Sequence, residues 1–257
     1  MLKRLSVENY ALIDKLDIAF APGLNIITGE TGAGKSILLG ALGLILGNRG
    51  DVAAIRDAQR NCVIEAEFDL SGYRLEGLFA SFDIDYDQQC MIRRVITPAG
   101  KSRAYVNDLP VQLAALRAIG ERLIDIHSQH QTLLLGESRF QTALLDSVAA
   151  HAQLPTIIFD EIDTGVSGAI ADKMGEIITN LSGSLQVVNI THLPQVASKG
   201  DHHFLVYKEE TSEGTLSRIR KLSSEARVAE IAKMLSGSAV TAAATEQARL
   251  LLGMEKL

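Results

Sequence analysis

Residues 25–42 read NIITGETGAGKSILLGAL and place a glycine-rich loop between two apolar runs. The first run predicts a short buried strand at residues 24–28, and the second predicts a helix at 36–46 with almost no polar face. Such a helix must be buried, and a sheet is the expected partner. The loop matches G-x-x-x-x-G-K-[ST] at every position, with the residues Gly29, Glu30, Thr31, Gly32, Ala33, Gly34, Lys35 and Ser36.

This loop predicts a site for a nucleoside triphosphate. Glycines let successive backbone N–H groups point at the phosphates, and the following helix adds its positive N-terminal end. Lys35 is placed to reach the β- and γ-phosphates, and Ser36 offers its hydroxyl to Mg²⁺. The alternative is a glycine-rich turn without a ligand, which the complete motif and its strand–helix setting disfavour.

Composition sets the outer limits. A chain of 257 residues with 47% hydrophobic residues can bury one large core or two modest ones. With a net charge of −6, the chain as a whole is not an electrostatic nucleic-acid binder, so any such contact needs a local basic patch. We expect no membrane span, no secretion signal and, with Cys62 and Cys90 far apart, a reducing cytoplasm.

The order of strands and helices predicts an α/β fold. Alternating apolar residues in the first 20 positions, and again at 63–70 and 90–111, indicate antiparallel strands. After Pro155, buried strands at 156–159 and 185–191 flank a helix around 170–181, which is typical of a parallel sheet. A hairpin and two helices, at 224–235 and 239–252, follow.

The segment TIIFDEID, residues 156–163, ends an apolar strand with two adjacent carboxylates. In an enzyme with a phosphate loop, Asp160 would hold Mg²⁺ through water and Glu161 would act as general base on the attacking water. An ordinary acidic loop is the alternative for this segment taken alone. The complete phosphate loop favours the catalytic interpretation.

Three further polar residues follow predicted strands. Gln129 and His192 each come after an apolar strand, and Asp163 lies just beyond Glu161 on a loop expected to be flexible. Because open parallel sheets bind ligands at the carboxyl ends of their strands, Gln129 is a candidate water or Mg²⁺ contact and His192 a candidate sensor of the γ-phosphate. Each of the two, taken alone, fits an ordinary loop residue as well.

Together these motifs resemble the ATP-binding-cassette ATPases, and within them the SMC-like head domains. More specifically, the chain is similar to the RecN family of bacterial double-strand-break repair proteins. The similarity is carried by VENYALIDKLDIAFAPGLNIITGETGAGKS, SRAYVNDLPV, IDIHSQHQ, FDEIDTGVSG, ITHLPQVASKGDHHF and RVAEIAKMLSG, in this order.

The resemblance implies a mostly parallel phosphate-loop sheet flanked by helices, with an antiparallel β subdomain. It also implies ATP and Mg²⁺ as ligands, Gln129 and Asp163 in the loops that contact nucleotide, and a homodimer with ATP sandwiched between heads. DNA would be the further partner, in the cytoplasm at the nucleoid. We expect an N-terminal lobe at residues 1–154 and a C-terminal lobe at 155–257 that fold together.

The sequence departs from the family at the junction of these lobes. RecN-like proteins carry a long antiparallel coiled coil there, and a signature of the Ser-Gly-Gly-Glu type before the FDE strand. Here the flanking segments meet near residues 151–155, and neither feature is present. Two explanations stay open: the natural polypeptide carries both features, or it is a truncated head. Without the signature, efficient hydrolysis is in doubt.

Basic residues form two groups whose function the sequence leaves open. A solvated face is one explanation, and DNA contact is implied by the resemblance alone. Arg93 and Arg94 are adjacent, so we expect them on opposite faces of a strand. The groups are Arg93, Arg94, Lys101 and Arg103, and Arg218, Arg220, Lys221, Arg227 and Lys233.

The sequence therefore predicts an ATP-binding and ATP-hydrolysing head domain of an SMC-like repair protein. One rival is a module that uses ATP only for dimerisation, which the missing signature favours. Others are a phosphate-loop kinase, disfavoured by the Asp160–Glu161 pair, and the nucleotide-binding subunit of another cassette ATPase.

Overall fold

The computed structural model describes residues 1–29, 34–128, 154–166, 168–212, 214–237 and 239–254. Two six-stranded sheets form its framework. The first sheet is antiparallel throughout, in the order β2-β1-β4-β5-β6-β7. Its strands are β1 (Leu2–Tyr10), β2 (Ile13–Ala19), β4 (Cys62–Asp69), β5 (Gln89–Ile96), β6 (Ser102–Val106) and β7 (Leu109–Val111).

The second sheet is mostly parallel, in the order β12-β11-β3-β10-β9-β8. Only the β11–β12 hairpin pairs antiparallel within it. Its strands are β3 (Leu24–Gly29), β8 (Ile124–Ser128), β9 (Thr156–Asp160), β10 (Gln186–Ile190), β11 (His202–Thr211) and β12 (Gly214–Lys221).

Helices cover this second sheet on both faces. Helix α1 (Lys35–Ile45) lies in the core between the two sheets, where it contacts β1, β4 and β5. The remaining helices are α2 (Glu76–Ala80), α3 (Leu113–Gly120), α4 (Gly168–Ser182), α5 (Pro194–Ala197), α6 (Ser224–Ser236) and α7 (Ala242–Leu251).

Two hydrophobic cores follow from this layering. The larger core joins the inner face of the antiparallel sheet to α1 and to one face of the parallel sheet. The smaller core packs the opposite face of the parallel sheet against α4–α7, with Met174, Ile178, Ile231 and Ala248 at its centre. The buried residues Ile231 and Ala232 of α6 therefore belong to the core. Among the described helices, none is long and apolar enough to cross a membrane.

The predicted fold class is confirmed, because a helix-flanked parallel sheet and an antiparallel β subdomain are both present. Both predicted lobes contribute to the mostly parallel sheet. Its strands β3 and β8 come from the first 154 residues, and its strands β9 to β12 come from the rest. The lobe boundary at 154/155 stays a prediction. Residues 129–153, which include most of the junction segment, lie outside the described residues.

The basic group on β5 requires one correction. Arg93 and Arg94 do point to opposite faces, as the strand alternation predicts. A solvated face does not describe Arg94, however, because its side chain is buried on the inner face of the sheet. Strand pleating puts one of two neighbouring residues on the inner face, and here Arg94 shares that face with Cys90, Ile92 and Ile96.

Candidate nucleotide site

The candidate site lies where the parallel strands end. Ser128, Asp160 and Ile190 are paired across β8, β9 and β10, so these three strands finish level with one another. Strand β3 runs parallel beside β10, with Ile27 opposite Ile190, and ends two residues further on at Gly29. The phosphate-loop motif and the Asp160–Glu161 pair therefore share one edge of the sheet.

Two glycines fix the backbone on either side of the loop. Gly29 has φ +153°, and a Cβ there would lie 2.3 Å from the carbonyl oxygen of Val206 on β11. Gly34 has φ +118°, and a Cβ there would lie 2.7 Å from Ser217 Oγ on β12. No side chain fits at either position. These are the first and last glycines of the sequence motif, and in this chain the β11–β12 hairpin closes the space that a side chain would need at either one.

Among the described residues, no side chain caps the N-terminus of α1. Gly34 is its N-cap and has no side chain to cap the first turn, which also contains no acidic residue. The first N–H groups of a helix lack intrahelical partners and carry the positive end of its dipole. An uncapped helix start behind a glycine-rich loop is the arrangement that binds phosphate.

Lys35 begins α1 and points to the end of β9. Its side chain is almost fully buried, at 6% exposure, and its Nζ lies 2.8 Å from Glu161 Oε1. The pair is close, yet Nζ makes no well-aligned hydrogen bond among the described residues. A buried ammonium group with unused donor capacity is a strong attractor for further oxygen ligands.

Asp160 and Glu161 place two negative charges beside this one cation. Burial raises the pKa of the Asp160 carboxyl, and the neighbouring Glu161 charge raises it further, while Lys35 acts in the opposite direction. Glu161 has a left-handed backbone, with φ +48°, and its N–H donates to the carbonyl of Ile190 at 3.0 Å. A non-glycine residue in this region costs about 1–2 kcal/mol, so the turn that aims Glu161 is maintained by its surroundings.

Asp163 is buried and accepts a hydrogen bond from the hydroxyl of Thr191. Burial raises the pKa of its carboxyl, whereas the Thr191 hydrogen bond and the nearby His192 lower it. The structure thus ties Asp163, in the loop after β9, to the end of β10. His192 itself is exposed, next to Thr191.

Sequence reasoning missed a hydrogen-bond network that lies behind the phosphate loop. Thr28, the last residue before Gly29, donates to Glu230 Oε1 at 3.1 Å and lies 2.8 Å from His203 Nε2. Burial, with a smaller effect from Arg227, lowers the pKa of His203 to about 3. A neutral His203 that donates from Nε2 to Thr28 fits these distances. The partners come from β11 and α6, so no local pattern could reveal them.

Other predicted site residues cannot be placed in the same way. Ser36 is exposed on the first turn of α1. Within the described ranges no cluster of three or more His, Cys, Asp or Glu side chains could hold a metal ion. Five residues lie outside the described residues: Glu30, Thr31, Gly32, Ala33 and Gln129.

The fold and this edge of the sheet define a class of protein. The family model of the RecF/RecN/SMC N-terminal domain matches residues 1–215. The chain belongs to this family. Among solved structures, the SMC head domain from Thermotoga maritima matches with a TM-score of 0.65 at 17% identity, over 86% of this chain and 99% of that chain. An SMC head solved with the C-terminal winged-helix domain of ScpA matches with a TM-score of 0.68 at 14% identity, over 87% and 98%.

Within the family, the similarity is to RecN. The DNA repair protein RecN of Vibrio cholerae is 37% identical over 155 residues, which is 60% of this chain and 28% of that protein. RecN of Bacillus subtilis is 42% identical over 151 residues, 58% of this chain and 26% of that protein. The predicted resemblance is confirmed. The match spans little more than a quarter of the length of these relatives.

Proposed function

We propose that the chain is an ATP-binding and ATP-hydrolysing head of an SMC-like protein that acts in DNA double-strand-break repair and recombination. One observation carries this proposal: the uncapped start of α1, with Gly34 and the buried Lys35, faces the Asp160–Glu161 pair at the edge of the parallel sheet. The similarity to RecN supports the biological setting.

Each residue at this edge suits one part of triphosphate binding. The α1 N–H groups and Lys35 would hold the phosphates, with Gly29 and Gly34 shaping the loop. Residues Glu30 to Ala33 would complete it. Ser36, Asp160 and Gln129 have the oxygen ligands that Mg²⁺ prefers, and Mg²⁺ would supply charge neutralisation for the phosphates. The two adjacent carboxylates, whose cationic neighbour among the described residues is Lys35, fit an added cation.

The Lys35–Glu161 contact suggests how Glu161 becomes available. Lys35 would exchange the carboxylate of Glu161 for phosphate oxygens, since both are anionic partners for the same ammonium group. Glu161 would then be free to accept a proton from water as general base. His192 would sense the γ-phosphate, and Thr191 would hold Asp163 beside it.

Nucleotide binding is tested first, with Lys35→Ala. We expect the affinity for ATP to fall about 10- to 100-fold, because a charge-assisted contact contributes roughly 1.5–3 kcal/mol. Lys173→Ala is the matched control, since Lys173 is exposed on α4 and far along the chain from the loop. Calorimetry measures the ATP affinity of both variants. Equal affinities would show that Lys35 does not contact the nucleotide.

Hydrolysis is tested separately, with Glu161→Gln. A general base contributes about 10²- to 10⁴-fold, so phosphate release should fall by that factor while ATP binding persists. Glu176→Gln on the exposed face of α4 is the control. Turnover that survives in Glu161→Gln would assign the base to another residue.

A second function, ATP-dependent dimerisation without efficient turnover, is favoured by the missing signature sequence. It predicts that ATP converts the chain to dimers while phosphate release stays at background, in the parent and in Glu161→Gln alike. Sedimentation with and without ATP, combined with the hydrolysis assay, separates the two functions.

The partners and location follow from the family. Two heads would associate through ATP, and the output would act on DNA in the cytoplasm, at the nucleoid. The two-lobed arrangement at 1–154 and 155–257 would allow a coiled coil to project from the junction.

A further inference from the structure

Thr28, the residue before the first glycine of the phosphate loop, is held by side chains from two other elements. It lies on β3 and is only 1% exposed. Its hydroxyl donates to Glu230 Oε1 at 3.1 Å and lies 2.8 Å from His203 Nε2. A hydroxyl has one hydrogen to donate, so with that hydrogen on the carboxylate it accepts from the Nε2–H of His203. The two partners together favour one orientation of the Thr28 side chain.

The Thr28 side chain faces away from α1. Residues of a strand alternate between the two faces of its sheet. Ile27 lies in the larger core with α1, whereas Ile26 lies in the smaller core. Thr28 shares the face of Ile26, which is the face covered by α4–α7. Its hydroxyl is therefore behind the phosphate loop and can act on a bound nucleotide only through the backbone of Gly29.

His203 directs its side chain to this contact. It lies on β11 opposite Ile26 and is 1% exposed. Its Nδ1 is buried and has no hydrogen-bond partner within the described ranges. Burial of an imidazole carries a desolvation cost that an apolar side chain would not have. Strand packing alone therefore does not explain a histidine at this position, whereas the contact with Thr28 does.

Helix α6 has other contacts that dock it. Ile231 and Ala232 are 0% exposed in the smaller core. Arg227, one turn before Glu230, donates to the carbonyl of Gly200 at 2.6 Å and so holds the helix to the segment that leads into β11. Glu230 is half-buried and reaches across to β3. Its carboxylate thus adds a directional contact at one residue of a helix that apolar packing already places.

The place of this contact matters because a glycine follows it. Gly29 has no Cβ and a φ of +153°, so its own conformational preferences restrict the backbone little. Thr28 is the last residue before Gly29, and its side chain can be anchored where that of glycine cannot. Anchoring Thr28 therefore narrows the directions in which the chain can enter the loop.

We propose that Glu230 and His203 are positioning residues for the phosphate loop, which act through the Thr28 hydroxyl and couple α6 to nucleotide binding. This role rests on the proposed function, because the nucleotide concerned is the ATP at the same loop. Coupling between two sites is reciprocal. If α6 helps to set the loop, ATP must in turn stabilise α6 against local opening.

The first test measures ATP affinity by calorimetry. Thr28→Val removes the hydroxyl and keeps the shape of the side chain, and we expect the affinity to fall about three- to tenfold. Thr28→Ser restores the hydroxyl and should recover most of the parent's affinity. Glu230→Ala should match Thr28→Val and covers the case in which that variant does not fold. Glu225→Ala, exposed on the first turn of α6, is the matched control and should bind like the parent.

Hydrogen exchange of α6 gives a readout that a general loss of stability would not change. In the parent, saturating ATP should slow exchange in α6 by more than in α3, which reports the overall stabilisation by a ligand. In Thr28→Val, also saturated with ATP, the additional slowing in α6 should disappear. A variant that was merely less stable would exchange faster with and without ATP, and the difference between the two helices would persist.

Lys35→Ala separates this role from the proposed function. If Lys35→Ala weakens ATP binding while Thr28→Val and Glu230→Ala bind like the parent, the ATP site stands and the positioning role is wrong. Additional slowing of α6 that is equal in the parent and in Thr28→Val also overturns it. A Thr28→Ser variant as weak as Thr28→Val would assign the effect to packing. A parent chain that does not bind ATP would overturn both proposals.

Discussion

Gly34 is one of two glycines at which a single methyl group should disturb the phosphate loop. Its φ of +118° is strained for any other residue, and a Cβ would meet Ser217 at 2.7 Å from Oγ and 2.9 Å from Cβ. Backbone strain and overpacking of this kind each cost about 1–3 kcal/mol. We therefore expect Gly34→Ala to lower the free energy of unfolding and to weaken ATP binding.

A matched control separates the two costs. Gly214 has a similar φ of +114°, but a Cβ there would meet nothing within 4 Å. Gly214→Ala should therefore show the strain without the clash, and ATP binding should be unchanged. Urea unfolding of the two variants gives the comparison. Equal losses of stability would mean that Ser217 moves aside without cost.

His203 should make the fold sensitive to acid. Its pKa is about 3 in the folded protein and 6.5 ordinarily, so below pH 6.5 the unfolded chain binds a proton that the folded chain excludes. Stability therefore falls as the pH drops from 6.5 towards 3, by at most about 1.4 kcal/mol per pH unit for this group.

The measurement is the free energy of unfolding at pH 6.5 and pH 5.0, for the parent and for His203→Gln. Glutamine keeps a donor for Thr28 and does not titrate. The His203→Gln variant should therefore lose less stability than the parent between pH 6.5 and pH 5.0. Other titrating groups contribute equally to both proteins and cancel in the difference. An equal loss of stability in the two proteins between these pH values would show that His203 takes up its proton in the folded state.

Helix α1 is the element that joins the candidate nucleotide site to both sheets. Leu42, near its centre, is 1% exposed within the larger core. Leu42→Ala should leave a cavity and cost about 2–5 kcal/mol. Leu250 on α7 is 58% exposed, and truncation there should change stability by less than about 0.5 kcal/mol.

Thermal and urea unfolding check this prediction. A cost near zero for Leu42→Ala would mean that α1 is not held between the sheets. The same variant should also weaken ATP binding, because the position of the α1 N-terminus depends on that packing.

At the scale of the whole molecule, Gln186 joins the two sheets. From β10 its amide donates to the carbonyls of Leu2 and Ala21, at 2.8 and 2.9 Å. Its Oε1 accepts from the N–H of Leu2 at 2.9 Å and from Thr156 at 2.8 Å. The start of β1 and the turn before β3 are thereby fixed to the parallel sheet.

Gln186→Leu should therefore cost about 2–4 kcal/mol, because several buried backbone groups lose their partners together. Gln89→Leu, exposed at the start of β5, is the control and should be close to neutral. Urea unfolding of both variants measures the difference. A small loss for Gln186→Leu would show that water takes over these hydrogen bonds.

The sequence by itself determined the parts of this protein that local patterns encode. Apolar runs of strand length placed β3, β9 and β10, and an unbroken apolar helix placed α1 in the core. The motif at residues 29–36 predicts a phosphate site, because glycine spacing and a lysine at a helix start express a local geometry.

Tertiary structure decided what lies beside those motifs. Val206 and Ser217 occupy the space that a side chain would need at Gly29 and Gly34. Thr191 donates a hydrogen bond to Asp163, and Glu161 pairs with Lys35. The packing of β5 in the antiparallel sheet decided that Arg94, and not Arg93, is buried. These contacts join residues that are distant in the chain, through strand register and sheet order. A sequence pattern reports the period of one element, whereas such contacts depend on how separate elements meet.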